Sequence, residues 1–173
     1  PSDQGRAAEL EALVAPTGEW QEAIEAFLDT AEQNQDVEVK KHLLFRSARI
    51  LADELNDREA AERMYRAVLD LDASDAQAHN AIEELYRTSG DHETLISLLL
   101  DRLENETSPA ERATILREVA QLYEEELKQP ESALVAWGQA LSEEPADDRA
   151  RRAIDRLAKE PAELEEVIAV LKD

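Results

Sequence analysis

An all-α fold of consecutive antiparallel helix hairpins is what this sequence predicts, and three observations predict it. Four glycines, a 4% aromatic content and abundant Ala, Glu, Leu and Arg favour helix and leave little material for a sheet. Apolar and small residues recur three and four apart in stretch after stretch, which lines one face of a helix, and short polar turns separate the stretches. The chain also matches itself when displaced by 72 residues: Gly18 meets Gly90, Ile24 meets Ile96, Leu44 meets Leu116, Ala48 meets Ala120, Ala61 meets Ala133 and Leu69 meets Leu141.

Residues 3–14 carry Ala7, Leu10, Leu13 and Val14, a short amphipathic helix ended by Ala15-Pro16-Thr17-Gly18. The next helix starts near Gly18 with Trp20, Ile24, Phe27 and Leu28 on its apolar side, and Asn34-Gln35-Asp36 closes it. Residues 37–55 form a long helix with Leu43, Leu44, Ala48, Leu51 and Leu55 inward, and Asn56-Asp57 makes the turn. Residues 58–71 follow with Ala61, Met64, Tyr65, Val68 and Leu69, after which 72–75 supply a stop and a cap. Residues 76–88 present Ala78, Ala81, Ile82, Leu85 and Tyr86, and Ser89-Gly90-Asp91 punctuates them. Leu95, Ile96, Leu98, Leu99, Leu100 and Leu103 then make a helix that is apolar around most of its circumference, which places it centrally.

Residues 114–145 hold the clearest hairpin. Ile115, Leu116, Val119, Ala120, Leu122, Tyr123 and Leu127 line one helix face, and Lys128-Gln129-Pro130 interrupts it, because proline lacks an N–H yet suits the first turn of the next helix. The second helix carries Ala133, Leu134, Ala136, Trp137, Ala140 and Leu141 and stops before Pro145. Two further helices are expected over 147–159 and 161–172, about ten in all.

This hairpin resembles a tetratricopeptide repeat, whose pattern is W-x2-L-G-x2-Y, then A-x3-F, then P. The corresponding residues are Leu116, Val119, Ala120 and Tyr123, then Ala133 and Trp137, then Pro145. The interval from Tyr123 to Ala133 is one residue longer than the family's, so an extended first helix or turn is expected. Seventy-two residues is about twice the family's period, so each unit is two hairpins. The organisation expected is a flanking helix at 1–16 and a repeat domain at 17–173, made of double repeats 18–89 and 90–161 and a C-terminal helix at 161–172. The resemblance implies an α-solenoid wound as a right-handed superhelix, whose concave face, built from first helices, holds an extended peptide or a partner helix.

Composition narrows the partner. A net charge of −22 repels nucleic acid and anionic membrane in bulk. Zero cysteines exclude disulfides, thiol catalysis and thiolate metal sites. No signal-like or transmembrane segment stands out, so a cytoplasmic location is the expectation. The chain opens on Pro1 rather than methionine, and a piece of a longer repeat protein is expected.

On the candidate concave face the first-helix positions flanking the small packing residue are Phe45 and Arg49, Asn80 and Glu84, Arg117 and Gln121, and Arg152 and Arg156. Arg149 shares a helix face with Arg152 and Arg156. Guanidinium forks bind carboxylates in bidentate fashion, so the sharper expectation is an acidic peptide at these arginines. The plainer expectation is exposed ion pairs with neighbours such as Asp147, Asp148 and Asp155, each worth little. Family members that clamp a C-terminal carboxylate use lysines and asparagines on first helices. Here Phe45, Glu84 and Glu118 break that set, and the activity is not carried over.

Nothing points to an enzyme, a cofactor or a metal. His92-Glu93 begins like a zinc-protease helix but lacks the second histidine, and His42 and His79 stand alone. The calcium-loop-like run from Asp70 has Asp75 where glycine belongs and Ala81 where the closing glutamate belongs. The reading is a protein-interaction scaffold. Its alternative is a structural module that oligomerises through the ends of the stack, at Val167, Ile168, Val170 and Leu171.

Overall fold

The computed structural model describes residues 3–158. Among these the chain forms nine α-helices and a π-helical turn, with no strand. They are α1 (Asp3–Val14), α2 (Trp20–Gln33), α3 (Val37–Asp53), α4 (Arg58–Leu71), α5 (Ala76–Ser89), α6 (His92–Asn105), α7 (Pro109–Gln121) running into the π turn Leu122–Glu126, α8 (Pro130–Glu143) and α9 (Asp148–Leu157). The fold is all-α and built from helix hairpins. The helix expected at 161–172, with the apolar residues Val167 to Leu171, lies outside the described residues.

Short acidic or hydroxyl side chains start most of the helices by satisfying orphan N–H groups of the first turn. Asp36 Oδ1 accepts from Glu38 N at 2.9 Å and Asp57 Oδ1 from Ala60 N at 3.0 Å. Asp91 Oδ1 accepts from Thr94 N at 3.2 Å, and Asp147 Oδ1 from Arg149 N at 2.8 Å and Ala150 N at 3.0 Å. Pro109 and Pro130 stand in the first turns of α7 and α8, where no N–H is needed.

The chain divides into two compact units, residues 1–88 and 89–173. In the first, α3 packs along α4 and against α2, with α1 on α2 and α3. Its core gathers Ile24, Phe27, Leu43, Leu51, Tyr65, Val68 and Ile82 around Ala23, Ala48, Ala61 and Ala78, four alanines with no exposed surface. In the second, α8 packs between α7 and α9, with α6 against α7. There Leu95, Leu99, Leu116, Val119 and Trp137 surround Ala113, Ala120, Ala133, Ala140 and Ala150, again fully buried. Small residues at these points bring helix axes close, and each large side chain so buried contributes about 1.5–3 kcal/mol.

Helices α6, α7, α8 and α9 each begin 72 residues after α2, α3, α4 and α5. The backbone specials follow the same displacement: Gly18 and Gly90 both have φ 74°, and Asn56 and Lys128 have φ 51° and 55°. The extra residue before α4 and α8 widens the preceding helix end. Leu55 N donates to Ile50 O at 3.2 Å and Leu127 N to Leu122 O at 3.0 Å, both five residues back rather than four.

Three core expectations change. Leu13, expected on the apolar side of α1, is 72% exposed. Leu55 is 37% exposed, because α3 ends at Asp53 and the widened turn carries Leu55 outward. Leu100 is also 37% exposed, so α6 is buried on one side, through Leu95, Ile96 and Leu99, rather than all round.

Candidate functional site

In the first unit the site begins with a lysine. Lys41 Nζ lies 2.8 Å from Asp72 Oδ2 and 2.8 Å from Asp75 Oδ2, and Asp75 caps α5 by accepting from Gln77 N and Ala78 N. The ammonium thus fastens the start of α5 onto α3. The bond from Lys41 holds the Asp72 carboxyl at about 2, pulls Asp75 down as well, and is answered by a raised lysine pKa.

One turn on, Phe45 packs edge-on against Tyr65 with ring centroids 5.0 Å apart. Facing it, α5 presents Gln77, Asn80, Ala81 and Glu84, the i, i+3, i+4, i+7 face of one helix. With Glu83 and Arg87 they line an open groove of about 640 Å³. Arg87 Nη1 donates to Glu84 Oε2 at 2.7 Å. The carboxamides of Gln77 and Asn80 are exposed, and each offers a donor and an acceptor at the groove.

Of the sequence candidates, Phe45, Asn80 and Glu84 therefore line one groove. Arg49 does not line it: its Nη2 reaches Glu11 Oε2 on α1 at 3.3 Å, beside Arg46, which grips the same carboxylate at 2.5 Å through two nitrogens. Burial and the Arg46 charge lower the pKa of His42 alongside.

In the second unit Arg117 Nη1 lies 2.8 Å from Glu144 Oε2 and 2.9 Å from Asp147 Oδ2. Burial pushes the Asp147 carboxyl up, but the Ala150 N–H and the Arg117 guanidinium together hold it below the usual carboxylate range. Arg156 pairs with Glu124, which lowers the pKa of that glutamate, and Trp137 Nε1 donates to Glu124 Oε2 at 3.4 Å. Arg149 stacks over the Trp137 ring, 5.8 Å from its centroid. Arg152 is exposed and makes no hydrogen bond or ion pair with the described residues; Gln121 is half-buried.

Four residues at the first groove escaped the spacing argument: Gln77, Glu83 and Arg87, and Ala81, which was expected to pack inward. Gln77 was within reach of it, three residues before Asn80 on the same helix face. The Lys41 bridge had no comparable signal, since nothing in the sequence says which carboxylates a lysine 31 residues away will meet.

No protein-family model and no curated protein matches the chain. Among solved structures, the crystal structure of MamA is similar over 92% of this chain and 88% of its own, with a TM-score of 0.49 and 17% identity.

Proposed function

We propose that this chain is a protein-interaction scaffold and that the groove of its first unit holds an extended peptide or partner helix. The observation that carries the reading is the coming together of Phe45, Asn80 and Glu84, with Gln77, around an open groove of about 640 Å³ on a helix-hairpin stack. A half-buried ring anchors an apolar contact, and two carboxamides that donate and accept suit a peptide main chain. The equal displacement of helix starts and of the four backbone specials supports one 72-residue double hairpin used twice.

The arginine face of the second unit supports a secondary reading, an acidic peptide. Arg152 stands exposed there, while Arg117 and Arg156 are engaged by carboxylates of their own unit. A charge-reversed Arg152→Glu variant separates the two readings.

The test is peptide capture. An arrayed library of random octapeptides is probed with labelled protein and with the Phe45→Ala and Asn80→Ala variants. Retained peptides that lose binding in both variants support the groove. Binding that ignores both substitutions but falls with Arg152→Glu moves the site to the second unit. Mass measured by light scattering across a concentration series checks self-assembly, which a constant monomer mass would remove as the main role.

A further inference from the structure

Resting on the reading that the first-unit groove holds a peptide, its wall chemistry narrows what that peptide carries. The positions 72 residues on from Phe45, Gln77, Asn80 and Glu84 are Arg117, Arg149, Arg152 and Arg156. The same helix faces thus carry four cations in the second unit. In the first they carry an aromatic ring, two amides and a carboxylate. We propose that this groove accepts a lysine or arginine side chain of a partner peptide, its cation seated between the Phe45 ring and the Glu84 carboxylate.

Three features support that occupant. Phe45 is half-buried, so its ring meets the groove while packing edge-on against Tyr65, and a cation against an aromatic ring is attracted by the ring's quadrupole. Glu84 is paired with Arg87 across 2.7 Å, but both side chains are about half exposed, at 59% and 41%. Such a pair is weak and exchanges readily for an incoming cation of the same kind. The nearby ammonium of Lys41 is already shared between Asp72 and Asp75, so its charge is met within the unit. The overall charge of −22 also favours encounter with a basic segment.

Bulk charge alone would attract basic peptides anywhere, and the experiment separates the two effects. Octapeptide pools with one central residue fixed as Lys, Arg, Leu or Glu, and mixtures elsewhere, are titrated against the full chain by fluorescence anisotropy at 150 mM salt. The variants are Glu84→Lys, Phe45→Leu and, as an equal-charge control outside the groove, Asp29→Lys on α2.

The expected result is that Lys and Arg pools bind about tenfold more tightly than Glu pools. Phe45→Leu should reduce that preference about threefold. Glu84→Lys should abolish it and Asp29→Lys should leave it. Equal loss with Glu84→Lys and Asp29→Lys would overturn the proposal in favour of bulk attraction. Leu or Glu pools binding best, still sensitive to Phe45→Leu, would overturn the cationic occupant while keeping the peptide groove. Insensitivity of every pool to both groove substitutions would overturn the groove reading as well.

Discussion

Lys41 and Arg117 bridge the same pair of acidic register positions from places one helical turn apart. Arg117 follows Lys41 by 76 residues, four more than the 72-residue displacement, yet the partners keep register: Asp72 and Asp75 for the lysine, Glu144 and Asp147 for the arginine. The bridge is therefore a property of the turn before α5 and α9, not of one cation position. Moving the cation back by a turn in the first unit leaves position 45 for a ring, and the groove opens beside it.

The pH dependence of stability follows from these pairs. Asp72 has a folded value near 2 against an ordinary 3.8, and Asp75, Asp147 and Glu124 are also depressed. A depressed acid contributes stability that is complete above its unfolded value and is lost as pH falls through the folded one. The thermal midpoint is expected to hold above about pH 5 and to fall most steeply between about 4 and 2. The raised Lys41 value acts in the opposite range, its contribution complete below 10.5 and lost as pH rises through the raised folded value. Circular dichroism melts of native and Lys41→Met protein from pH 2 to 7 test this. The variant should melt lower at pH 7 and with a shallower acid slope, and parallel curves would sink the assignment.

Exchanging the cation position should convert one bridge into the other. Phe45→Arg in the native background sets two cations side by side, whereas in a Lys41→Ala background it recreates the second unit's arrangement, where Ala113 and Arg117 occupy those places. The substitution is expected to cost less stability in the Lys41→Ala background than in the native one, read from urea unfolding midpoints as a double-mutant cycle. Both proteins carrying Phe45→Arg should lose groove binding. Zero coupling would mean the two positions do not share the acidic pair.

Close helix approach depends on alanines. Ala48 and Ala120 are fully buried at equivalent places in the two units. Ala48→Leu and Ala120→Leu are each expected to cost about 1–3 kcal/mol by overpacking. Chemical denaturation measures both, and a change within a few tenths for either would show slack that the burial denies.

Backbone strain at the widened turns offers a gain. Lys128 holds φ 55° without the freedom of glycine, and its side chain is exposed. Lys128→Gly is expected to stabilise by about 0.5–1 kcal/mol, and Asn56→Gly by less, since asparagine tolerates the left-handed region better. Gly90→Ala should lose about 1 kcal/mol from φ 74° alone, because an added Cβ would meet only His92 Nε2 at an ordinary 3.7 Å. Unfolding free energies of the three variants decide it, and an unchanged Lys128→Gly would remove the strain argument.

Much of the fold was legible because its signals are local. The polar residues that cap α3, α4, α6 and α9, the prolines of α7 and α8, and the spacing of Leu43, Ala48 and Leu51 each act within a few residues of chain. Leu55 failed because the widened turn, not the apolar period, decides where it points. Of the first-helix positions read from the sequence, Phe45, Asn80 and Glu84 line the groove. The partners of Arg49, Arg117 and Arg156 had no local signal, because Glu11, Asp147 and Glu124 lie 30 to 38 residues away in sequence.

The sequence by itself determined an all-α chain, most of the helix boundaries among the described residues to within a residue or two, and the 72-residue internal likeness, since hydrophobic period, caps and turn residues all speak at short range. Only the tertiary structure decided which charged side chains face one another. The turns that lead into α5 and α9 set their carboxylates on Lys41 and Arg117. That neutralises cations the composition left open and leaves Phe45, Gln77, Asn80 and Glu84 facing the groove. Coulomb attraction falls with distance in space, and distance in space is what a list of residues does not contain.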